Sequence, residues 1–528
     1  MTFPRKLGLL LLFIAVAAAA GYEAGLALPS LRWFFSFAPA AGADSLQGWE
    51  MNQARVVGHV LCGLMALGGL ILIAFGGGFQ WNPLTVRKLQ RFRSIGRGYR
   101  SFVILVLLMI VAMLDQALVG KRALAVRYNG QWSFPAFTRV KEDGGKQDPA
   151  FRYGIGGEGE IDFRELKVKF DKENTGNHVW MPLIPFDPTS DTDKLQSRRL
   201  VSADGLVKDH RGSEPFSGIA YVLNDDNPFS KSRMATFRAG KLSGRSEIYD
   251  TKGQPAVTDQ WLDGKLVEHK QQSDETPPAL TSEPVWTELL YPPAPPSVEK
   301  LHFLGTDSRG WDVAAQLYGG FQVIVKASIL YLLLTFGIGV VAGSLMGYFG
   351  GGFDLVSQRL IEIVSNVPFL YIVMIISANI GRDKITLVLI VLVLGAFSWI
   401  GPATYLRSQT FKEKARDYVS AARVLGGGTT WIIFRHVLPN TISTVITLLP
   451  FSVVTVATSL TALDYLGFGL PESYPSWGLL LSDGTANLEA WWIVTAVFVL
   501  LVLTLMLVTF VGEAVREAFD PKKFTYYR

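Results

Sequence analysis

Cysteine is nearly absent. Cys62 is the single one in 528 residues, so no intramolecular disulfide can form and cysteine usage says nothing about redox compartment. Histidine is sparse as well. His59, His178, His210, His269, His302 and His436 are scattered without His-x-x-x-His spacing, which leaves zinc or nucleophilic catalysis without support in the sequence. A Walker A loop is missing too. The glycine-rich "GYFGGGFD" of 347–354 lacks the Lys-Ser/Thr pair that holds nucleotide phosphates, so the chain is not expected to hydrolyse ATP or to bind a cofactor. "GTDSRGWD" lacks the ligand spacing of a calcium loop, and Asp307 and Asp312 are expected in turn and capping roles instead. The net charge of +5 is small for a chain of this length. In a membrane protein such an excess arises from Lys and Arg in cytoplasmic loops, and nucleic acid is not an expected partner.

Long apolar runs are abundant. With 49% hydrophobic and 18% charged residues, and mean hydropathy +0.27, the chain reads as a membrane bundle joined to a soluble domain. Candidate spans lie near 7–27, 57–78, 101–119, 322–346, 368–381, 385–406, 441–462 and 491–512, the fifth being short. The first has two readings, a signal peptide cleaved after Ala20 or an uncleaved anchor running through Leu26 to Leu28. Both put residue 30 outside. The segment "NPLTVRKLQRFRSIGRGYR" carries Arg87, Lys88, Arg91, Arg93, Arg97 and Arg100 with no acid and is assigned to the cytoplasm. Counting spans from there places 121–320 outside and the stretch around 412–440 inside. The loop between Arg407 and Asn440 is independently basic, with Arg407, Lys412, Lys414, Arg416, Arg423 and Arg435 against two acids. Lys326, near the outer end of a span, is read either as snorkelling to the interface or as lining the transport path, with snorkelling preferred.

The outside insert is rich in turn signals. "RYNGQWSFP" reads as a hairpin through Asn129-Gly130. Phe/Trp-x-x-Gly-Lys-Leu recurs in "TFRAGKLSG" and "QWLDGKLVE" about 24 residues apart, which suggests short hairpins side by side. The pattern resembles MORN-type and YwqK-like repeats; an ordinary β-meander is the competing reading. "YPPAPPSVEK" reads as an extended strap back to the membrane. The resulting division is 1–80 (extra transmembrane region), 81–120 (basic segment and a span), 121–305 (insert, repeat-like over 214–270) and 306–528 (main bundle with the loop 412–440).

Within that loop, "DYVSAARVLGGGTTWIIFRHVLPN" (417–440) reads as two short helices. Tyr418, Ala421, Ala422 and Leu425 make a small-residue face. Gly426-Gly427-Gly428 ends the first helix, Thr429 or Thr430 caps the second, and Leu438-Pro439 stops it. "SAARVLG" followed by "HVLP" resembles the EAA signature of ABC-transporter permeases. "LGTDSRGWDV", "PFLYIVMI", "LGFGLPESYPSWGLLL" and "REAFDPKK" resemble the peptide-importer permeases of the OppC/DppC class. "NPLTVRKLQRFRSIGRGYRS" with "ALAVRYNGQWSFP" is similar to the YejE-type group of microcin C and oligopeptide uptake.

This resemblance implies an all-α type I ABC importer permease fold in a bacterial inner membrane, with a largely β periplasmic insert. It further implies import of oligopeptides or peptide-like compounds, with ATP used by a partner ATP-binding cassette subunit. A second, OppB-like permease and a periplasmic substrate-binding protein complete the implied assembly. Ser420, Ala421, Ala422, Leu425, Gly426, Leu438 and Pro439 are then the residues implied to couple the ATPase to the spans. Two departures stand out: Ser420 replaces the signature's glutamate, and Trp311 replaces the usual arginine. The competing functions are a permease for another solute, such as nickel or a sugar, and a membrane-anchored binding module whose working part is the insert.

Overall fold

The computed structural model describes residues 3–26, 49–75, 83–137, 153, 161–173, 176–189, 196–209, 212–223, 231–249, 254–271, 284–290, 293–298, 300–381 and 384–519. The tail beyond 519 and His210 therefore lie outside the described residues. The chain forms two compact units, Met1–Asp191 with Ser297–Leu304 and Trp311–Arg528, and Thr192–Pro296 with Gly305–Gly310. The segment 121–191, read from sequence as part of the insert, thus clusters with the helices.

In the helical unit, α1 (Phe3–Glu23) and α2 (Trp49–Phe75) pack on each other. α3 (Pro83–Ser94) leads into α4 (Gly96–Met113), and α5 (Phe163–Glu173) packs on a small sheet. The main bundle comprises α6 (Val313–Phe349), α7 (Gly351–Ser365), α8 (Phe369–Ile380), α9 (Leu387–Ser398), α10 (Ile400–Lys414), α11 (Asp417–Val424), α12 (Thr429–Ile432), α13 (Leu438–Ile446), α14 (Leu449–Tyr465), α15 (Trp477–Ala486) and α16 (Trp491–Phe519). Six described helices are long and apolar enough to span a membrane, or seven if the pair α7–α8, bent by 62°, is one broken span. Two of the eight expected spans are therefore in pieces. The 368–381 stretch holds only the 12-residue α8, and 441–462 is divided between α13 and α14.

Glycine sets a close helix crossing. Gly339, Gly343 and Gly347 recur every fourth residue along α6 and therefore share one face. A Cβ at Gly343 would stand 2.4 Å from the Ala403 carbonyl oxygen, and one at Gly347 would stand 2.6 Å from that of Arg407. In lipid, where apolar side chains gain nothing by leaving one another's solvent, such backbone contact is what drives association. Gly343→Ala is expected to cost about 2 kcal/mol by forcing α6 and α10 apart; thermal unfolding in detergent reads this directly. Lys326 departs from the snorkelling reading. It lies well inside α6 and is only 4% exposed, so it is enclosed by the bundle and does not snorkel.

The small sheet of this unit has the order β2-β1-β3, with β1 (Ala125–Tyr128), β2 (Gln131–Ser133) and β3 (His178–Trp180). Asn129 and Gly130 join the first two with φ of +49° and +79°, the type I′ geometry that suits the right-handed twist of a hairpin. Val126, Phe163, Leu166 and Phe170 form its core.

The second unit is a seven-stranded antiparallel sheet of order β11-β10-β9-β8-β7-β12-β4. Its strands are β4 (Gln196–Arg199), β7 (Gly218–Leu223), β8 (Lys231–Arg238), β9 (Lys241–Tyr249), β10 (Pro255–Leu262), β11 (Lys265–Gln271) and β12 (Thr287–Leu290); β5 (Val201–Ala203) and β6 (Leu206–Lys208) make a separate hairpin. Strands β7 to β11 pair in chain order, a succession of hairpins that both the repeat and the meander readings require. The two Gly-Lys motifs are the tight turns themselves: Ala239-Gly240 and Asp263-Gly264 all have positive φ. Ala239, at φ +49°, carries a Cβ in the left-handed region, where it is disfavoured. Ala239→Asn is expected to stabilise this turn by about 0.5–1 kcal/mol. Slower amide exchange in β8 and β9 of the full chain is the corresponding readout.

Candidate functional site

The loop between α10 and α13 is built as a knob with one face glued down and the other left bare. Arg416, in extended conformation, precedes α11, which carries Asp417 in its first turn and Arg423 in its last, complementing the helix dipole. Val419 and Ala422 point inward and pack with Ile432, Ile433, Val437 and Tyr348 of α6. Across the helix, Ser420 and Ala421 are exposed, and Val424 and Leu425 are 87% and 86% exposed. Trp431 and Phe434 of the following turn are exposed as well.

The turn out of α11 is held by two reciprocal hydrogen bonds. Gly426 N–H donates to the Arg423 carbonyl at 3.0 Å and Gly427 N–H donates to that of Ala422 at 3.0 Å, the Schellman pattern. Gly426 sits at φ +80°, where glycine is the residue without steric penalty. Gly427 is needed for space, since a Cβ there would lie 2.8 Å from the Ala422 carbonyl oxygen.

Beyond the turn the structure corrects the expected pattern. Gly428, not Thr429 or Thr430, is the N-cap of α12, and it makes no side-chain cap bond. Pro439 does not stop a helix either. The chain runs from α12 through a π-helical turn, Ile433–Val437, directly into α13, with Pro439 as its second residue. Proline lacks an N–H and crowds the carbonyl one turn back. The wider π turn, in which Leu438 N–H reaches the Ile433 carbonyl, accommodates it without a break.

Charges fasten the base of the knob. Arg407 of α10 forks onto Asp354 of α7, with both N–O distances 2.5 Å, and Asp354 is 6% exposed. The Lys414 ammonium lies over the Tyr348 ring at 5.6 Å and the Arg423 guanidinium at 5.7 Å. Tyr418 donates to Glu413 at 2.6 Å and accepts from Asn440 at 2.9 Å, tying the start of α11 to α13. Burial, reinforced by the hydrogen bond to Glu413, pushes the Tyr418 hydroxyl pKa upward, so it stays a neutral donor at physiological pH.

Of the coupling residues expected from sequence, Ser420, Ala421, Leu425 and Gly426 lie on the exposed side, with Pro439 exposed further on. Ala422 is 7% exposed and faces its own bundle, and Leu438 packs partly against Phe336, Leu406 and Val445. Tyr348, Val424, Trp431 and Phe434 join the knob without having stood out in the sequence. Val424 was visible as the apolar neighbour of Leu425, whereas Tyr348 lies on a distant helix with no local signal.

The other motifs form structural joints. Asp312 caps α6 through Ala315 N–H at 2.7 Å and bonds His302 at 2.7 Å; both side chains are fully buried, and Phe186 stacks on His302 at 4.1 Å. Asp307 accepts from the Arg309 backbone at 2.9 Å and pairs with its guanidinium at 2.8 Å. The "PESYPSWG" stretch is packed inside rather than spread on the surface. Tyr474, Ser476 and Trp477 are buried, and the Trp477 indole donates to the Leu317 carbonyl at 2.8 Å. Asp464 accepts from Leu470 N–H at 2.7 Å and from the Ser476 hydroxyl at 2.5 Å. Among the described residues, no group of three or more His, Cys, Asp or Glu could hold a metal.

Residues 339–525 match the family "Binding-protein-dependent transport system inner membrane component", a span that contains the whole knob. Over 84% of its length the chain is 28% identical to the peptidoglycan transport system permease protein YejE of Agrobacterium fabrum, covering 94% of that protein. It is 29% identical to the inner membrane ABC transporter permease protein YejE of Escherichia coli, covering 98% of it. Over 43% of the chain, identity to the oligopeptide transport system permease protein OppC of Haemophilus influenzae is 34%, covering 73% of that relative. The chain therefore belongs to the inner membrane components of binding-protein-dependent transport systems, the permease subunits of ABC transporters.

Proposed function

We propose that this permease imports oligopeptides or peptide-like compounds, and that the 412–440 knob is where ATP hydrolysis on a separate chain is turned into movement of the spans. The substrate class rests on the peptide-transport names of its relatives. An ATP-binding cassette subunit seats the exposed face made by Ser420, Ala421, Val424, Leu425 and Gly426. A second permease subunit completes the pathway, and a substrate-binding protein delivers cargo from the side on which 121–320 lies. No cofactor is needed on this chain.

One observation carries the coupling role. Leu425 and Val424 are 86% and 87% exposed on a helix whose opposite side is buried and whose ends are pinned. Two nearly bare aliphatic side chains on a fixed support are suited to a partner's groove, and the fixed support lets the partner's displacement reach α6 and α10 undamped. Affinity purification of the tagged chain in mild detergent, with mass spectrometry and an ATPase assay, tests the assembly. The wild type should retain an ATPase and a second permease. Gly426→Pro, which cannot adopt φ +80° and lacks the N–H given to Arg423, should lose the ATPase while keeping the second permease. Uptake of a toxic oligopeptide tests the substrate class; a strain lacking this chain should resist it.

A further inference from the structure

Helix α3 lies at the membrane boundary for a geometric reason. It joins α4 through one residue, Ile95, and the apolar span of α4 begins at Gly96. A 12-residue helix that carries Arg87, Lys88, Arg91 and Arg93 cannot enter hydrocarbon, so it stays outside it next to the end of the α4 span. Its two sides differ. One packs on α16, where the Lys88 ammonium lies over the Phe519 ring at 5.0 Å, and Phe92 folds back edge-on against Tyr99 and Phe102 of α4. Around the rest of the helix Arg87, Leu89, Gln90 and Arg93 are exposed, with Leu89 at 43%, and Arg97 is exposed just past the break. Residues 83–100 contain no acidic residue to neutralise them.

We propose that this exposed side of α3 is a binding surface for anionic phospholipid headgroups of the leaflet it borders. Leu89 enters the headgroup–acyl boundary. The positive charges of Arg87, Arg93 and Arg97 attract the lipid phosphates, an attraction that any cation at these positions supplies. The surface is cationic with Leu89 at one edge, and α3 packs on α16, so lipid bound here steadies the cytoplasmic ends of α4 and α16 together. The assignment does not depend on which solute is carried.

Native mass spectrometry of the full chain in detergent, titrated separately with phosphatidylglycerol and phosphatidylcholine, tests this. The variant Arg87→Gln/Arg93→Gln leaves Arg97 and Arg100 to keep the orientation of α4. It is expected to bind phosphatidylglycerol about 30-fold more weakly, at roughly one basic residue's contribution each. Phosphatidylcholine binding should not change. Arg87→Lys/Arg93→Lys should recover most of the affinity, which a loss through misfolding would not allow. Unchanged phosphatidylglycerol binding in the glutamine variant overturns the proposal. So does a variant that keeps its lipid but sheds a co-purifying protein, which would make an acidic protein surface the occupant. Equal loss of both lipids, or no recovery with lysine, also overturns it.

Discussion

Leu425→Asp is expected to weaken binding of the ATPase subunit by about 100-fold while leaving the permease folded. The two halves of this prediction have separate physical sources. Leu425 is 86% exposed and follows the last residue of α11, so a carboxylate there meets only water in the isolated chain. Surface changes of that kind usually alter stability by less than about 0.5 kcal/mol. In a seated interface the same carboxylate would be desolvated without a partner, which is where the loss arises. Ala422→Asp should behave oppositely. Its side chain would be driven among Val419, Ile432 and Val437, so the knob itself should come loose and the melting temperature fall. Binding measured with purified subunits, alongside thermal unfolding of each variant, separates the two effects. Equal binding of wild type and Leu425→Asp would remove the exposed face from the interface.

Asp312→Ala is expected to destabilise the helical unit by about 3 kcal/mol, combining loss of a helix cap with loss of a buried charge-assisted hydrogen bond. Asp312 is fully buried and does two jobs with its two oxygens, one on Ala315 N–H and one on His302. Alanine leaves the first turn of a 37-residue helix without its side-chain acceptor and deprives a fully buried imidazole of its carboxylate. Asparagine can still cap, so Asp312→Asn should cost less than half as much. Chemical unfolding in detergent distinguishes them. Equal effects of the two substitutions would show that the charge toward His302, rather than the cap, dominates. The aspartates of "GTDSRGWD" were expected to cap and turn, and that much was readable, because a short acceptor before an apolar helical run is a local signal. The histidine ten residues earlier was not, since a hydrogen bond between loop segments leaves no periodic trace.

The same contrast runs through the knob. Gly426 announces its left-handed turn because its cause is local, and the Asn129-Gly130 hairpin was legible for the same reason. The inward turn of Ala422 was not legible. α11 has only eight residues, and its small or apolar ones, Val419, Ser420, Ala421, Ala422 and Val424, are spread around the helix, so periodicity alone cannot say which side is buried. Pro439 misled for a related reason. A proline after leucine is ordinarily a stop, and the π turn that absorbs it is a property of hydrogen-bond register rather than of composition. Where helices are broken, span boundaries were not legible. Hydropathy sums over a window and is blind to the 62° bend between α7 and α8. The glycine stripe of α6 lies open in the sequence at 339, 343 and 347, but its partner residues on α10 are fixed by the tertiary fold.

Site-directed cross-linking from position 425 tests the coupling claim most directly. The chain's single cysteine, Cys62, is buried in α2, so Cys62→Ser with Leu425→Cys gives one reactive thiol on the knob. A short thiol-reactive cross-linker applied to membranes containing the whole transporter should join position 425 to the ATPase subunit. A cysteine placed at the buried Ala422 should not react. If position 425 yields no ATPase adduct in membranes where the ATPase demonstrably co-purifies with this chain, the knob is not the seat of coupling, and the ATPase must grip the permease through another surface.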